Sequence, residues 1–549
     1  MILRNASVET TDLMQIGAQI DTDGTSSLVT GNLGPPVVTP SLISIDAGAI
    51  GFAAIGQSGA VVDPDAPLTV TVSNLRSGAV FTAAVANDGS FSVALAGQAD
   101  DAFTLIARDS HRFPLQSAEV AIGTMQGAPP SATEVAATGW GVDGVFVSRT
   151  LSLDGHQLAV AGWGSSSELV LLDLSNPAVP ALVRTSVAAQ GAIRDVVIRD
   201  GWAYVAADRF STLDLSASGS TPNYTTDPCG REQAVALSGG YAFTAEVDCL
   251  NNGTIHVYDV TNPAAPRYLS SQAVAGVAND ALTDLLTFGR DDLVGISDTA
   301  AGIDVMVIDR RDVNALRKVS QLSISNFGAY RASIEGTTLF LVSVGTPQLV
   351  AVDLSDPLTP IVTGTLALPG SGGGVMVAGR DVLIADGAAG LVATTADPAA
   401  LVITGSVPTA GTAYDVAVYG TTTYVADGSG IAVVPVAIAP RIDPRRISIG
   451  ATSITGLADA VTGAVPITIE IVEGTTMAAA NGTVAPDGGF SVPLTGSAGD
   501  TITLEATDAS GRVAGPIVVG TVPFGSSTEL LPLSNRARTI TAWGTTVAM

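Results

Sequence analysis

Lysine is all but absent from this chain of 549 residues: Lys318 is the only one, and 24 Lys and Arg face 51 Asp and Glu, a net charge of −27. So acidic a surface is repelled by nucleic acid and anionic membranes, and attracts cations or basic partners. The same excess keeps an apolar β protein in solution. No run of about 20 uncharged apolar residues occurs, which excludes membrane insertion through a hydrophobic helix. The opening MILRNASVETTDLMQIG lacks the apolar core of a secretory signal. Histidines number three, His111, His156 and His256. None has a second ligand at metal spacing, so each reads as a surface or turn residue. No G-x-S-x-G elbow, C-x-x-C, P-loop or H-E-x-x-H is present, so the common hydrolase, redox, nucleotide and zinc signatures are missing.

Cysteine is also scarce. Cys229 and Cys249 flank REQAVALSGGYAFTAEVD, symmetrically about Gly239 in a Ser-Gly-Gly turn. Residues equidistant from a hairpin turn lie opposite each other, so the pair is placed to form a cross-strand disulfide, which points to an oxidising compartment.

Glycine is plentiful, at 60 residues, and a strand-ending motif recurs seven times. The best copies are LVLLDLSNPAVP (Asp173), IHVYDVTNPAAP (Asp259) and LVAVDLSDPLTP (Asp353); weaker ones end at Asp214, Asp309, Thr394 and Pro435. Successive anchors differ by 41, 45, 50, 44, 41 and 41 residues. A period of about 40–45 residues with about four short strands per period is the signature of a β-propeller. The count is seven blades, with six or eight as the neighbouring alternatives. The anchor aspartates accept hydrogen bonds from nearby amides, and the Asn/Asp-Pro dipeptide sets the turn and ends the strand. The last blade, DVAVYG, TTTYVADG, IAVVPVAI, lacks an outer strand, and SATEVAAT ahead of the first inner strand is the natural supplier.

A second repeat brackets the propeller. VANDGSFSVALAGQADDAFTLIARD (85–109) aligns without gaps to VAPDGGFSVPLTGSAGDTITLEATD (484–508), at an offset of 399. Both lie in regions of alternating strands with Asp-Gly turns at Asp88 and Asp487, as in a small two-sheet sandwich. Proline-rich connectors at 34–40, 127–131 and 440–444 mark the joints. The expected organisation is a poorly ordered lead-in (1–40), a sandwich (41–126), a propeller (131–440), a second sandwich (441–523) and a tail (524–549). The tail echoes the segment that opens the propeller, so the chain reads as a fragment of a longer sandwich–propeller array.

The flanking pattern resembles the immunoglobulin-like modules of large bacterial surface proteins, without the cysteine-tryptophan framework of antibody domains. AYDVAVYGTTTYVADGSGIAVV and LVAVDLSDPLTPIVTGTLAL resemble the LVIVD-repeat family, a likeness that extends over about 300 residues. The turn motif departs from the family pattern in blades two, four and seven. The resemblance implies an extracellular or cell-surface bacterial propeller without known enzymatic activity.

One constellation stands out. Aligned inner strands begin with Asp195, Asp284 and Asp415, and with Arg331 in blade five. The antiparallel second strands end on the same face with Glu246, Asp298, Asp386 and Asp427. Such a rim of acids suits a hard cation such as calcium, a basic group of a protein or glycan-bearing partner, or an acid/base pair of a polysaccharide hydrolase or lyase. The competing reading is that the side chains cap backbone amides between blades. Asp21 and Asp23 in DTDG match the opening of a calcium loop whose later ligands are missing, and Arg441, Arg445 and Arg446 are expected to pair with acidic neighbours. No cofactor signature occurs. The expected function is a non-enzymatic, secreted or surface scaffold whose propeller presents a binding face. The alternatives are the polysaccharide enzyme and a structural surface-layer or filament component.

Overall fold

The computed structural model describes residues 17–20, 26–29, 35–63, 67–109, 115–138, 140, 146–163, 168–187, 191–217, 219–225, 231–247, 253–273, 281–343, 345–474, 477–494, 497–523, 541–543 and 546–548. Among them no α-helix occurs; regular structure is strand, apart from three short 3-10 turns. His111, both cysteines, Asp21, Asp23 and most of the tail lie outside the described residues.

Between Thr133 and Pro435, seven four-stranded antiparallel sheets follow one another. The first six are built in chain order from the inside outward, as in Asp195–Arg199, Trp202–Ala206, Ser211–Asp214 and Asn223–Tyr224. The last sheet takes its outer strand, Thr133–Ala136, from ahead of the first, with Glu134 opposite Ala432. Its inner strand Asp415–Tyr419 packs against the first inner strand, Val147–Asp154, which closes the ring. The chain therefore forms a β-propeller sealed by a strand from its N-terminal side, as the missing partner of IAVVPVAI required.

The middle strands read as unbroken apolar runs because both of their faces are covered by neighbouring sheets. Thr422–Ala426 is buried throughout, and Leu169 and Leu171 share a core cluster with Val196, Ile198 and Val205 of the next sheet. Each such side chain contributes roughly 1.5–3 kcal/mol on burial. The anchors work as local turn clamps. Asp173 accepts the Ser175 amide at 2.9 Å, Asp259 that of Thr261 at 3.1 Å and Asp353 that of Ser355 at 2.8 Å. Even the degraded copies hold, since Asp214 accepts from Ser216 at 2.8 Å and Asp309 from Arg311 at 3.0 Å. The neighbouring hydroxyl and amide hold the Asp173 and Asp259 carboxyls below their usual range. At Thr394 the clamp passes to Asp397, which accepts from Ala399 at 3.0 Å.

The two flanking units share one topology. In the first, the sheet Val120–Thr124, Ala102–Asp109, Leu68–Asn74, Val80–Val85 faces the sheet Ile43–Ala47, Phe52–Gly56, Phe91–Leu95. In the second, Val513–Thr521, Thr501–Thr507, Thr468–Glu473, Ala479–Thr483 faces Ile447–Ile449, Ser453–Gly456, Phe490–Pro493. Alternation sets their cores: Phe91, Val93 and Leu95 in one match Phe490, Val492 and Leu494 in the other. The first unit begins with Val37–Val38, ahead of residue 41, because that short strand pairs with Val61–Val62.

Both units are seated on the ring, by different parts. The first inserts the hairpin tip between Ala47 and Phe52, and Ile50, fully buried, joins the core between the sixth and seventh sheets. Across that seam Ala437 N–H donates to Ala49 O at 2.9 Å, and Ile403 N–H to Ser92 Oγ at 2.9 Å. The second unit lies across the far end of the central channel. There Tyr419 Oη donates to Asp459 at 2.6 Å, and Arg446 pairs with Asp154 at 2.9 Å. Arg445 pairs with Asp443 at 2.8 Å, so the arginine cluster does meet acidic neighbours.

Candidate functional site: the channel throat

Four of the eight rim residues expected from the sequence converge. Asp195 and Asp415 start their inner strands, Arg331 is the third residue of Ala329–Glu335 and Asp284 the fourth of Ala281–Phe288, and all four line a channel cavity of about 520 Å³. Arg331 Nη1 lies 3.2 Å from Asp195 Oδ1 and 3.7 Å from Asp284 Oδ1, and its Nη2 donates to the Arg194 carbonyl at 2.7 Å. Gly374 holds the equivalent place in the sixth sheet, where a Cβ would lie only 2.3 Å from Asp415 Oδ1. Residues Arg441–Arg446 and Asp459 wall the opposite end of the cavity.

Each aspartate also reaches sideways to the next sheet. Asp195 Oδ2 accepts the Val235 amide at 2.9 Å, Asp284 Oδ2 that of Ala332 at 2.8 Å and Asp415 Oδ2 that of Leu151 at 2.8 Å. Their other oxygens are engaged as well: Asp284 Oδ1 accepts from Leu285 at 2.9 Å and Asp415 Oδ1 from Val416 at 2.8 Å. Where the position is not acidic, serine does related work two residues on, as Ser152 accepts from Ile198 at 2.9 Å and Ser333 from Val377 at 3.2 Å. Burial pushes the Asp284 carboxyl up to about 6, against the pull of Arg331. Burial raises Asp415 too, and Arg331 again opposes it. Chemically, the throat is a set of interblade clamps gathered around one guanidinium.

The other four expected rim residues do not join it. Glu246, Asp298, Asp386 and Asp427 end second strands on the same side of the ring, but none lines the channel. Asp386 accepts the Gly370 amide at 2.7 Å and Asp427 that of Gly411 at 2.9 Å, which ties the loops entering their sheets. All four sit at the ends of second strands, which lie about 4.8 Å further out than the inner strands, so sharing a face of the ring did not bring them to its axis.

His256 corrects the sequence reading outright, because it is a core residue of the third sheet, 2 % exposed. Its Nε2 lies 2.5 Å from Glu246 Oε2 and its Nδ1 3.2 Å from Glu232 Oε1, which also accepts from Tyr258 Oη at 2.8 Å. Burial lowers the imidazole, but the two carboxylates outweigh it and hold its pKa at about 10. An imidazolium between two glutamates satisfies charges that would otherwise be stranded in a core. The glutamates hold opposite ring nitrogens and cannot chelate one ion. No group of three or more potential metal ligands occurs among the described residues. The legible signal was Glu232 facing Glu246 across the hairpin, with His256 on the adjacent strand. His156, in contrast, is the turn residue expected, 3.4 Å from Asp459.

Comparison with known proteins agrees with the repeat. The LVIVD repeat matches residues 152–186, 229–272 and 410–436. No match to a curated protein was found. Among solved structures, the WD40 repeats of RRP9 are similar over 53% of this chain and 95% of theirs, at 8% identity and a TM-score of 0.43. A chain of the Mitotic Checkpoint Complex covers 59% of this chain and 97% of its own length, at 10% identity and a TM-score of 0.45. The Neurospora crassa Pan2 WD40 domain covers 56% and 95%, at 12% identity and a TM-score of 0.43.

Proposed function

We propose that this protein is a non-enzymatic scaffold of the cell surface or extracellular space. A seven-bladed LVIVD-repeat propeller is held between two immunoglobulin-like sandwiches and presents a binding face to a protein or glycan. The carrying observation is the throat: its three aspartates accept interblade amides and surround Arg331 instead of standing as an opposed, unengaged pair. A glycosidase would need two carboxyl groups about 5–9.5 Å apart across an open cleft, free to take and give protons. The docked sandwiches favour the same reading. A ring fixed at its rim and across one end of its channel is a rigid display element, with the throat end as the face for a ligand.

Location outside the cell rests on the family resemblance and on the Cys229–Cys249 pair, whose intervening hairpin is described as far as Arg231 opposite Val247. Alkylation of the denatured protein without reductant should label neither cysteine; two labelled thiols would remove that support. The functional reading is tested by assaying the purified chain on a polysaccharide panel alongside a glycan array. Array or protein binding that survives Asp195→Asn, with no turnover, is expected. Turnover abolished by Asp195→Asn or Asp415→Asn would overturn it.

A further inference from the structure

The second sandwich shows what the first sandwich's exposed edge is for. Residues 17–45 repeat residues 421–449 at a constant offset of 404. Asp23-Gly24 matches Asp427-Gly428, Pro36 matches Pro440, Pro40 matches Pro444, and Ile43-Ser44-Ile45 matches Ile447-Ser448-Ile449. Gly17–Ile20 and Ser26–Val29 pair as an antiparallel hairpin, as do Thr422–Ala426 and Gly430–Pro435 in the last sheet of the ring. In sequence, the first sandwich is thus preceded by a segment that matches the end of the last propeller sheet and its connector.

The edge that follows is equivalent too. Val37 pairs with Val62 as Arg441 pairs with Thr462. Arg441 and Thr462 wall the channel, whereas Val37 and Val62 are 63% and 53% exposed. Val37 and Val62 thus put a small exposed apolar step on the edge by which the second sandwich meets the ring. Resting on the scaffold reading above, we propose that the Val37–Val62 edge is the seat for the channel end of a second propeller of this kind, joined ahead of the first sandwich.

The chemistry of that partner follows from the substitutions. Where the second sandwich presents Arg445 and Arg446 to Asp154, the first presents Ser41 and Leu42. A buried Asp154 would be left without its arginine there, so the matching ring carries an apolar residue at that hairpin. This chain contains such a hairpin. Thr541–Trp543 pairs with Thr546–Ala548 in the register of Ser152–Asp154 with Gln157–Ala159, at an offset of 389, and Trp543 takes the place of Asp154.

The test extends the whole chain. Residues 131–440 are placed directly ahead of Val37, in place of 1–36, and Val62→Cys reports burial by its alkylation rate. One arm keeps the added ring's Asp154, identical to the ring already in the protein; the other carries Asp154→Trp. Alkylation at least tenfold slower than in the unextended chain is expected with Trp, and a smaller slowing with Asp. Unchanged rates in both arms would contradict the proposal while leaving the scaffold reading intact. Enzymatic turnover by the native chain would do the reverse.

Discussion

The two sandwiches share a strand order and a core, yet they hold the ring in different ways. The hairpin that opens the first spans 14 residues from Ile43 to its partner Gly56; its counterpart from Ile447 to Gly456 spans ten. Those four extra residues carry Ile50 into the groove between the sixth and seventh sheets. Conversely, the connector of the second carries three arginines where the first has Val37, Ser41 and Leu42, and these lie at the channel end. One module thus offers two docking surfaces, a tip for the ring that follows and an edge for the ring that precedes.

Breaking the tip should have the largest effect. Ile50→Asp places a charge in a dry groove and should cost on the order of 4 kcal/mol. Limited proteolysis should then open the 127–131 connector. The matching change in the second sandwich, Ala451→Asp on an exposed turn, should stay within about 0.5 kcal/mol.

A ring-internal control sharpens the contrast. The Asp284 carboxyl is raised from an ordinary 3.8 to about 6 by burial, so the native state holds its proton more tightly than the unfolded chain. The stability this confers is full below pH 4 and is lost as pH rises to about 6. Against Asp284→Asn, the wild type should lose on the order of 2 kcal/mol across that window in urea melts, with the connector cleavage unchanged.

At the arginine edge, Arg446→Ala leaves the 9 % exposed Asp154 side chain short of a partner and should cost roughly 1–2 kcal/mol. Faster amide exchange near Tyr419 would report it. The smallest effect is expected at an anchor: Asp173→Ala removes a turn clamp worth about 0.5–1 kcal/mol, measurable in the same melts.

Legibility in the sequence followed the kind of physics involved. The ring was readable because anchors such as Asp173 and Asp353 act on amides two residues away, and local chemistry leaves a local motif. The closing strand Thr133–Ala136 was readable from a missing partner. The convergence of Asp195, Asp284, Arg331 and Asp415 followed from aligned inner strands, and the three aspartates accept interblade amides, as in the capping role weighed beside a ligand role. His256 was misread although Glu232 faces Glu246 across a hairpin, since that pair meets the histidine of the adjacent strand only once side-chain directions are fixed. Nor was Ile50, because an apolar tip looks like any turn until the groove that receives it is assembled from two sheets.

Amide exchange at Ala437 tests the central claim most directly, because its N–H crosses the seam to Ala49 O at 2.9 Å. In the intact chain it should exchange as slowly as amides inside the seventh sheet, and Ile50→Asp should return it to the rate of an open loop. Rapid exchange at Ala437 in the unaltered protein would mean that the first sandwich swings free, and the account of a rigidly jointed ring would be wrong.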